Sequence, residues 1–461
     1  MLLYRRLHEM VLLVLLIGLM NIYDIIKNVN ISIYDVIFIN EKNIIYLLLI
    51  TLFFFFIFFH SNFFTSSQFS LFNSMEFEII LGLGLIGLFF LIISNDFILF
   101  FLALELYSLS VYLLVFKNEI NHTRISILYF LIGSISSSLI LLGFSILYSQ
   151  TGSLDINYII ENLNTIIEYH DNSMGIIGTG FALFLIGLLF KLGAAPFQFW
   201  VIRVYTQMDL NILLYQSIVP KIAYIFIISK LINKFENLNN PQPSVVSFLL
   251  FLLFSSAIFS LFIGPIGGIT HGINKFKTII AYSSILHVGY LLLGIVSNYY
   301  SEALYSPVGI FQYLLIYGFN TLQFIIAFYF LQNLYNKKNG EINIRLLFFF
   351  FLISIFSFIG LPPFAGFYGK INIILNCYYT NNLLFQFFAI LFIIFSTLIA
   401  IFLYLKFINY LYFIPKEGFI SENKNKESYF FSYFLSFLTL FLFFYPFFLP
   451  YISPIFEILS I

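Results

Sequence analysis

LLFKLGAAPFQFW, residues 188–200, sets two demands against each other in one helix. Phe181 to Leu189 is apolar apart from Gly187, as a helix crossing lipid should be. Lys191 then enters, followed five residues later by Pro196. Proline removes a backbone donor and frees a carbonyl one turn back, here that of Leu192. The stretch reads as a membrane helix that breaks beside its own charge.

The composition agrees. Of 461 residues, 61% are hydrophobic and 9% charged. A soluble domain carries roughly 25% charged residues, so this chain belongs in a membrane. Its net charge is zero, which gives no reason to expect nucleic acid as a partner. The single cysteine, Cys377, excludes an internal disulfide framework and any cysteine-ligated iron–sulfur or zinc site. His8, His60, His122, His170, His271 and His287 are scattered without ligand spacing. No metal or redox cofactor is therefore expected in this chain. The 65 Phe and 32 Tyr suit an A/T-rich genome of organellar type, a mutational bias without mechanistic content.

A helix needs about 20 mainly apolar residues to cross the hydrocarbon core. Such runs predict an all-α polytopic protein of about thirteen spans. They lie near 10–26, 43–60, 76–93, 96–116, 125–149, 174–208, 210–232, 245–264, 277–297, 307–334, 344–378, 383–413 and 429–449. The sixth and eleventh are too long for simple spans and contain proline, so each is read as one discontinuous helix. The first, in MLLYRRLHEMVLLVLLIGLM, has no small-residue cleavage site and is expected to be retained.

Lys and Arg test this count, because they collect on the inner face. One set of loops then holds Arg5, Arg6, Lys117, Arg124, Arg203, Lys275, Lys277, Lys337, Lys338, Arg345, Lys416, Lys424 and Lys426. The other holds Lys27, Lys42, Lys230 and Lys234. The N-terminus is thus expected on the positive-inside face.

Lys191, Lys221, Lys370 and Lys406 remain inside spans. An ammonium at the bilayer centre costs about 2.5–3.5 kcal/mol on insertion scales. A lysine can also snorkel to the interface, and Lys406, near the polar end of its span, is read either way. Glu105, in FLALELYSLSVYLL, is an acid at mid-span with no charge nearby, so it needs a cation or a polar cavity. In the second break, GLPPFAGFYGK, Pro362 and Pro363 come first and Lys370 follows; the carbonyls of Phe358 and Ile359 are freed. Freed carbonyls at membrane depth persist only where protein or water meets them. A lysine beside such a break can exchange protons, because moving a partner charge switches it between holding and releasing one.

The broken spans are five apart, which predicts two inverted five-helix repeats, since an odd number of spans turns the second copy over. Expected boundaries are 1–75 for the N-terminal helices, 76–232 and 245–413 for the repeats, and 414–461 for the C-terminal loop and helix. By span order Glu105 answers to His287, Lys191 to Lys370 and Lys221 to Lys406. The small polar run YSSILHVGY, with Gly289, would admit water or a neighbouring helix to His287. Gly82, Gly84 and Gly87 satisfy G-x-G-x-x-G, but inside an apolar span they are expected to serve helix packing.

At these residues the chain resembles the antiporter-like membrane subunits of respiratory complex I, NADH:ubiquinone oxidoreductase. LLFKLGAAPFQFW is similar to that family's discontinuous-helix motif, and YSSILHVGYLLLG and GLPPFAGFYGK match two further signatures. The likeness covers roughly Glu76 to Tyr412. Among the members the chain looks most like the subunit 2 type: Lys370 stands where the subunit 4 type has glutamate, and no long lateral helix of the subunit 5 type follows span thirteen. The family usually continues after the first break with Trp-x-Pro-Asp-x-Tyr; here Ile202 and Arg203 replace Pro and Asp.

The residues themselves give a candidate proton pathway of Glu105, Lys191, Lys221, His287 and Lys370, with Lys406 left open, and the resemblance implies roles for Glu105, Lys191, Lys221 and Lys370. Glu105 would pair with Lys191, Lys221 would link the halves, and Lys370 would serve the exit side. Lys406 has no motif match. It further implies a non-redox subunit of a proton-translocating enzyme in the mitochondrial inner membrane, or alternatively a bacterial plasma membrane. NADH, FMN, iron–sulfur clusters and ubiquinone would be held by partner subunits, and lipids and other membrane-arm subunits would be its neighbours. A free-standing cation/proton antiporter of the same superfamily is the alternative.

Overall fold

The computed structural model describes residues 31–33, 37–64, 74–116, 120–161, 173–236, 243–272, 275–301, 306–335 and 341–413. A short antiparallel hairpin, β1 (Ile31–Ile33) and β2 (Ile37–Ile39), pairs Ile31 with Ile39. The remaining elements are helical. They fall into two compact units, Met1–Ser260 and Leu261–Ile461.

In the first unit the helices are α1 (Glu41–Phe64), α2 (Ser74–Ile93), α3 (Phe97–Val115), α4 (Ile120–Thr151), α5 (Ile156–Glu161), α6 (Ser173–Leu192), α7 (Phe199–Tyr205) and α8 (Leu210–Glu236). α9 (Pro243–Gly267) crosses the boundary and continues into a π turn, Gly268–Gly272. The second unit then adds α10 (Phe276–Tyr300), α11 (Ser306–Tyr335), α12 (Glu341–Ile359), α13 (Ala365–Tyr378) and α14 (Leu383–Phe413).

Among the described residues, nine helices are long and apolar enough to span a membrane, and two shorter apolar helices cover Lys42–Ile57 and Leu347–Ile359. These correspond to the predicted spans from 43–60 to 383–413, with breaks where the sixth and eleventh were expected. Spans 10–26 and 429–449 lie outside the described residues. The six-residue helix α5 was not foreseen; it is too short to carry a periodic signal.

α8 and α10 are buried almost all round and form the centres of their units. The outer helices turn Leu, Ile and Phe outward, as at Ile79, Leu102, Leu383 and Leu384, which suits contact with lipid. Small residues set the closest approaches. A Cβ at Gly87 would lie 2.9 Å from Ala103 O and 2.8 Å from Tyr107 N, so Gly87 packs α2 onto α3. Gly143 and Gly180 do the same for α4 and α6. The apparent dinucleotide motif thus contributes a helix contact.

Candidate functional site

Both breaks are built on one frame. The first runs Gly193-Ala194-Ala195-Pro196-Phe197 and the second Gly360-Leu361-Pro362-Pro363-Phe364. Each opens with a glycine at positive φ, 72° for Gly193 and 84° for Gly360, in the left-handed region that other residues enter only with strain. Each helix end closes with the hydrogen bonds of a glycine-terminated cap: Ala194 N donates to Leu189 O (3.0 Å) and Leu361 N to Phe356 O (3.1 Å). One turn then follows, with Phe197 N donating to Ala194 O (2.8 Å) and Phe364 N to Leu361 O (3.0 Å). The Ala195–Pro196 and Pro362–Pro363 bonds are both cis. This G-x-x-P-F repeat is readable in the sequence from its glycines and prolines, although Lys191 and Lys370 lie on opposite sides of their breaks.

The first break is held from outside the helix. Ala195 N donates to Ser260 Oγ (2.9 Å), and Trp200 Nε1 donates to Phe190 O (2.9 Å). The Trp200 ring stacks on Tyr129 with centroids 5.1 Å apart. Lys191 occupies the last turn of α6, and its Nζ is buried with no hydrogen-bond partner among the described residues. Glu105, at the middle of α3, is the carboxylate that acts electrostatically on Lys191. Ser108 Oγ donates to Glu105 Oε2 (3.1 Å), while Oε1 is buried without a hydrogen-bond partner among the described residues. Among the described residues the acid and the base thus interact through space, with no hydrogen bond between them.

The second break is locked. Lys370 Nζ donates to Phe358 O (2.9 Å) and Ile359 O (2.7 Å), the two carbonyls that the proline pair frees. The ammonium also lies 5.1 Å from the centre of the Tyr290 ring, within the range of a cation–π contact. Tyr290 Oη and Ser396 Oγ are 3.0 Å apart. His287, buried in α10, places Nδ1 2.7 Å from Tyr313 Oη, with the Phe358 ring 5.0 Å away. Lys370, His287 and the freed carbonyls therefore share one site.

Lys221 is buried in α8, one position after Pro220. Lys406 lies on an exposed face of α14, 6.0 Å from the Phe402 ring, and is not drawn into the Lys370 cluster.

Two groups went unnoticed in the sequence. Tyr107 Oη donates to Gln216 Oε1 (2.5 Å), Gln216 Nε2 donates to Tyr129 Oη (2.9 Å), and Tyr205 Oη donates to Gln216 O (3.1 Å). Tyrosine is so common here that composition masks such a network. The other group corrects the loop assignment of Lys230 and Lys234. Both lie in the last turns of α8, where Lys230 Nζ donates to Ser94 O (3.0 Å) and Lys234 Nζ to Asn95 Oδ1 (3.1 Å) and Asn157 Oδ1. Asp155 accepts from Asn95 Nδ2 (2.6 Å) and Asn157 N (2.8 Å), which ties α5 to the end of α2. Among the described residues no group of three or more His, Cys, Asp or Glu could hold a metal ion.

Ionisable groups buried beside two broken helices, in a bundle of helices long and apolar enough to span a membrane, mark a polytopic membrane protein. The family model described as "NADH:quinone oxidoreductase/Mrp antiporter, TM" matches residues 94–400, and the chain belongs to that family. It is 31% identical over 353 residues to NADH-ubiquinone oxidoreductase chain 2 of Rhizopus oryzae, covering 74% of this chain and 64% of that protein. It is 30% identical over 365 residues to NADH-quinone oxidoreductase subunit N of Pelagibacter ubique, covering 77% and 70%. The fold matches a chain of respiratory complex I from Thermus thermophilus with a TM-score of 0.71 at 20% identity, over 97% of this chain and 93% of that one.

Proposed function

We propose that this chain is a proton-translocating membrane-arm subunit of an NADH:quinone oxidoreductase, with the proton held and released at Glu105–Lys191 in one unit and at Lys370–His287 in the other. The observation that carries it is the pair of buried, unpartnered polar atoms Glu105 Oε1 and Lys191 Nζ beside a broken helix. Ionisable groups at membrane depth are costly and mark ion or proton pathways. A partner left loose, instead of locked in a salt bridge, is free to change the lysine's affinity for a proton when either charge moves.

Lys221 is the next buried base of the first unit, and Pro196, Pro362 and Pro363 supply the breaks. The redox groups (NADH, FMN, iron–sulfur clusters and quinone) belong on this reading to partner subunits, whose signal reaches the lysines as a change of charge or shape. The compartment that fits the fungal relative and the codon-like bias is the mitochondrial inner membrane.

The test is to separate gently solubilised native membranes on a native gel, stain for NADH dehydrogenase, and identify this chain by mass spectrometry. It is expected in the active band. Migration alone, or in a small complex without that activity, would favour a free-standing antiporter. Within the active complex, Lys191→Met should lower proton transfer per NADH oxidised several-fold at normal assembly. Unchanged transfer at full assembly would remove the proton role.

A further inference from the structure

α8 has an interruption of its own. Pro220 lies inside this helix and has no N–H, so the carbonyl four residues back loses its ladder donor. That carbonyl belongs to Gln216. It accepts instead from Tyr205 Oη (3.1 Å), and Tyr205 is the last residue of α7, the segment that follows the first break. The missing bond is thus replaced from another helix.

The side chain of the same residue binds two further helices. Gln216 Oε1 accepts from Tyr107 Oη of α3 (2.5 Å), and Gln216 Nε2 donates to Tyr129 Oη of α4 (2.9 Å). Gln216 and the three tyrosines are all buried. Tyr129 in turn stacks on Trp200 of α7 and meets Tyr112 of α3 edge to face, with ring centres 4.9 Å apart. Gln216 therefore ties α3, α4 and α7 to α8 at the turn where the ladder of α8 lacks a bond.

The ionisable groups of the first unit sit on the parts so tied. Glu105 lies on α3 two residues before Tyr107. Lys191 ends α6 just before the break that leads into α7. Lys221 lies on α8 five residues after Gln216 and directly after Pro220.

Such a junction can hold helices but cannot conduct. A neutral amide has a fixed acceptor and a fixed donor, so Gln216 can bind two hydroxyls without handing a proton from one to the other. Tyr107 also turns away from Glu105, because residues two apart on an α-helix point about 200° apart. What the junction sets is position. Misplacing a reacting group by about 1 Å can cost on the order of a hundredfold in rate. A helix interrupted by proline bends where the proline sits, which here is the step that carries Lys221.

We infer that Gln216 is a positioning residue for proton transfer between the Glu105–Lys191 pair and Lys221, with Tyr107, Tyr129 and Tyr205 as its ties. This role rests on the proton-translocation reading and names the residue that sets the spacing of the buried groups in the first unit.

The test uses the whole complex reconstituted in vesicles, with NADH-driven proton transfer measured per assembled complex. Gln216→Met keeps a side chain of similar length and deletes both of its hydrogen bonds. Transfer should slow several-fold, and its solvent deuterium isotope effect should rise, because a lengthened proton hop becomes the slow step. Tyr205→Phe leaves the Gln216 carbonyl without its donor and should act in the same direction, more weakly. Adding Pro220→Ala to Tyr205→Phe restores an N–H at that position and with it the ladder bond, so transfer should recover. A purely structural junction would lower the yield and melting temperature but leave the rate and isotope effect of each assembled complex unchanged. That result would overturn the inference, as would a double variant no faster than Tyr205→Phe alone. If Gln216→Met fails to assemble, Tyr107→Phe and Tyr205→Phe, which each delete one hydroxyl and keep the ring, decide by the same two readouts. Unmodified complex that oxidises NADH without moving protons would remove the proposed function itself. Normal transfer in that complex and in all the variants would remove only the role of Gln216.

Discussion

The two broken helices share a backbone and differ in what they do with their lysine. G-A-A-P-F and G-L-P-P-F make the same glycine cap, the same turn and the same interruption. Lys191 precedes its break and makes no hydrogen bond among the described residues, with Glu105 acting on it through space. Lys370 follows its break and reaches back to two carbonyls that the break has released. No acid occurs in α10, α11, α13 or α14, so carbonyl dipoles and the Tyr290 face do there what a carboxylate does in the first unit. The break is thus a general way of placing polar backbone at membrane depth. The position of the charge relative to it decides whether that charge is loose or fastened.

The largest effect should come from removing each charge in turn, and the two should fail differently. Lys191→Met removes a buried cation that makes no hydrogen bond among the described residues but takes the counter-charge from Glu105, so thermal stability of the solubilised complex should fall less than in the Lys370 variant while proton transfer falls several-fold. Lys370→Met should lower transfer as well, but it leaves the Phe358 and Ile359 carbonyls without their donor. A buried group so orphaned costs about 1–3 kcal/mol, and the melting temperature should drop. Equal stability of the two variants would break the contrast between a loose and a fastened lysine.

Next in size are the cap glycines. Alanine at Gly193 or Gly360 would be forced into the left-handed region, at a cost of roughly 1–2 kcal/mol. At Gly193 the new Cβ would also press on Val201, a packing contact. At Gly360 it would lie 2.9 Å from Lys370 Cδ and 3.3 Å from its Nζ. Gly360→Ala should therefore impair proton transfer beyond its effect on stability, and Gly193→Ala should act through stability. Measuring both quantities on both variants separates the cases.

Much of this was legible in the residues and some was not, for physical reasons. Membrane helices announce themselves by length and apolarity, so every predicted span that falls on described residues has its helix. Proline in a long apolar run placed both breaks and pointed to the carbonyls of Phe358 and Ile359. The partner that takes them was beyond reach, because a lysine stem can point toward either end of its helix. Tyr107, Tyr129 and Gln216 lie on three helices far apart in the chain, and only packing unites them. Lys230 and Lys234 looked like loop charges because α8 continues past its apolar run to Glu236.

A smaller effect is expected at Trp200. Trp200→Phe keeps an aromatic ring against Tyr129 but deletes the donor to Phe190 O. A net hydrogen bond contributes about 0.5–1.5 kcal/mol, so the complex should melt slightly earlier. Proton transfer should stay near normal, since Lys191 does not depend on that bond.

The smallest effect belongs to Lys406, and it checks the whole comparison. By span order it answers to Lys221, which would make it a member of the pathway. The two differ in setting: Lys221 is buried in the centre of its unit, while Lys406 projects from the exposed side of α14 beside Phe402. A long stem on an outward face can carry its ammonium to the interface without a protein partner. Lys406→Met should then leave assembly, stability and proton transfer unchanged, whereas Lys221→Met should lower transfer. A loss at Lys406 comparable to that at Lys221 would mean that span order predicts function better than burial does, and that a partner outside this chain covers the face of α14.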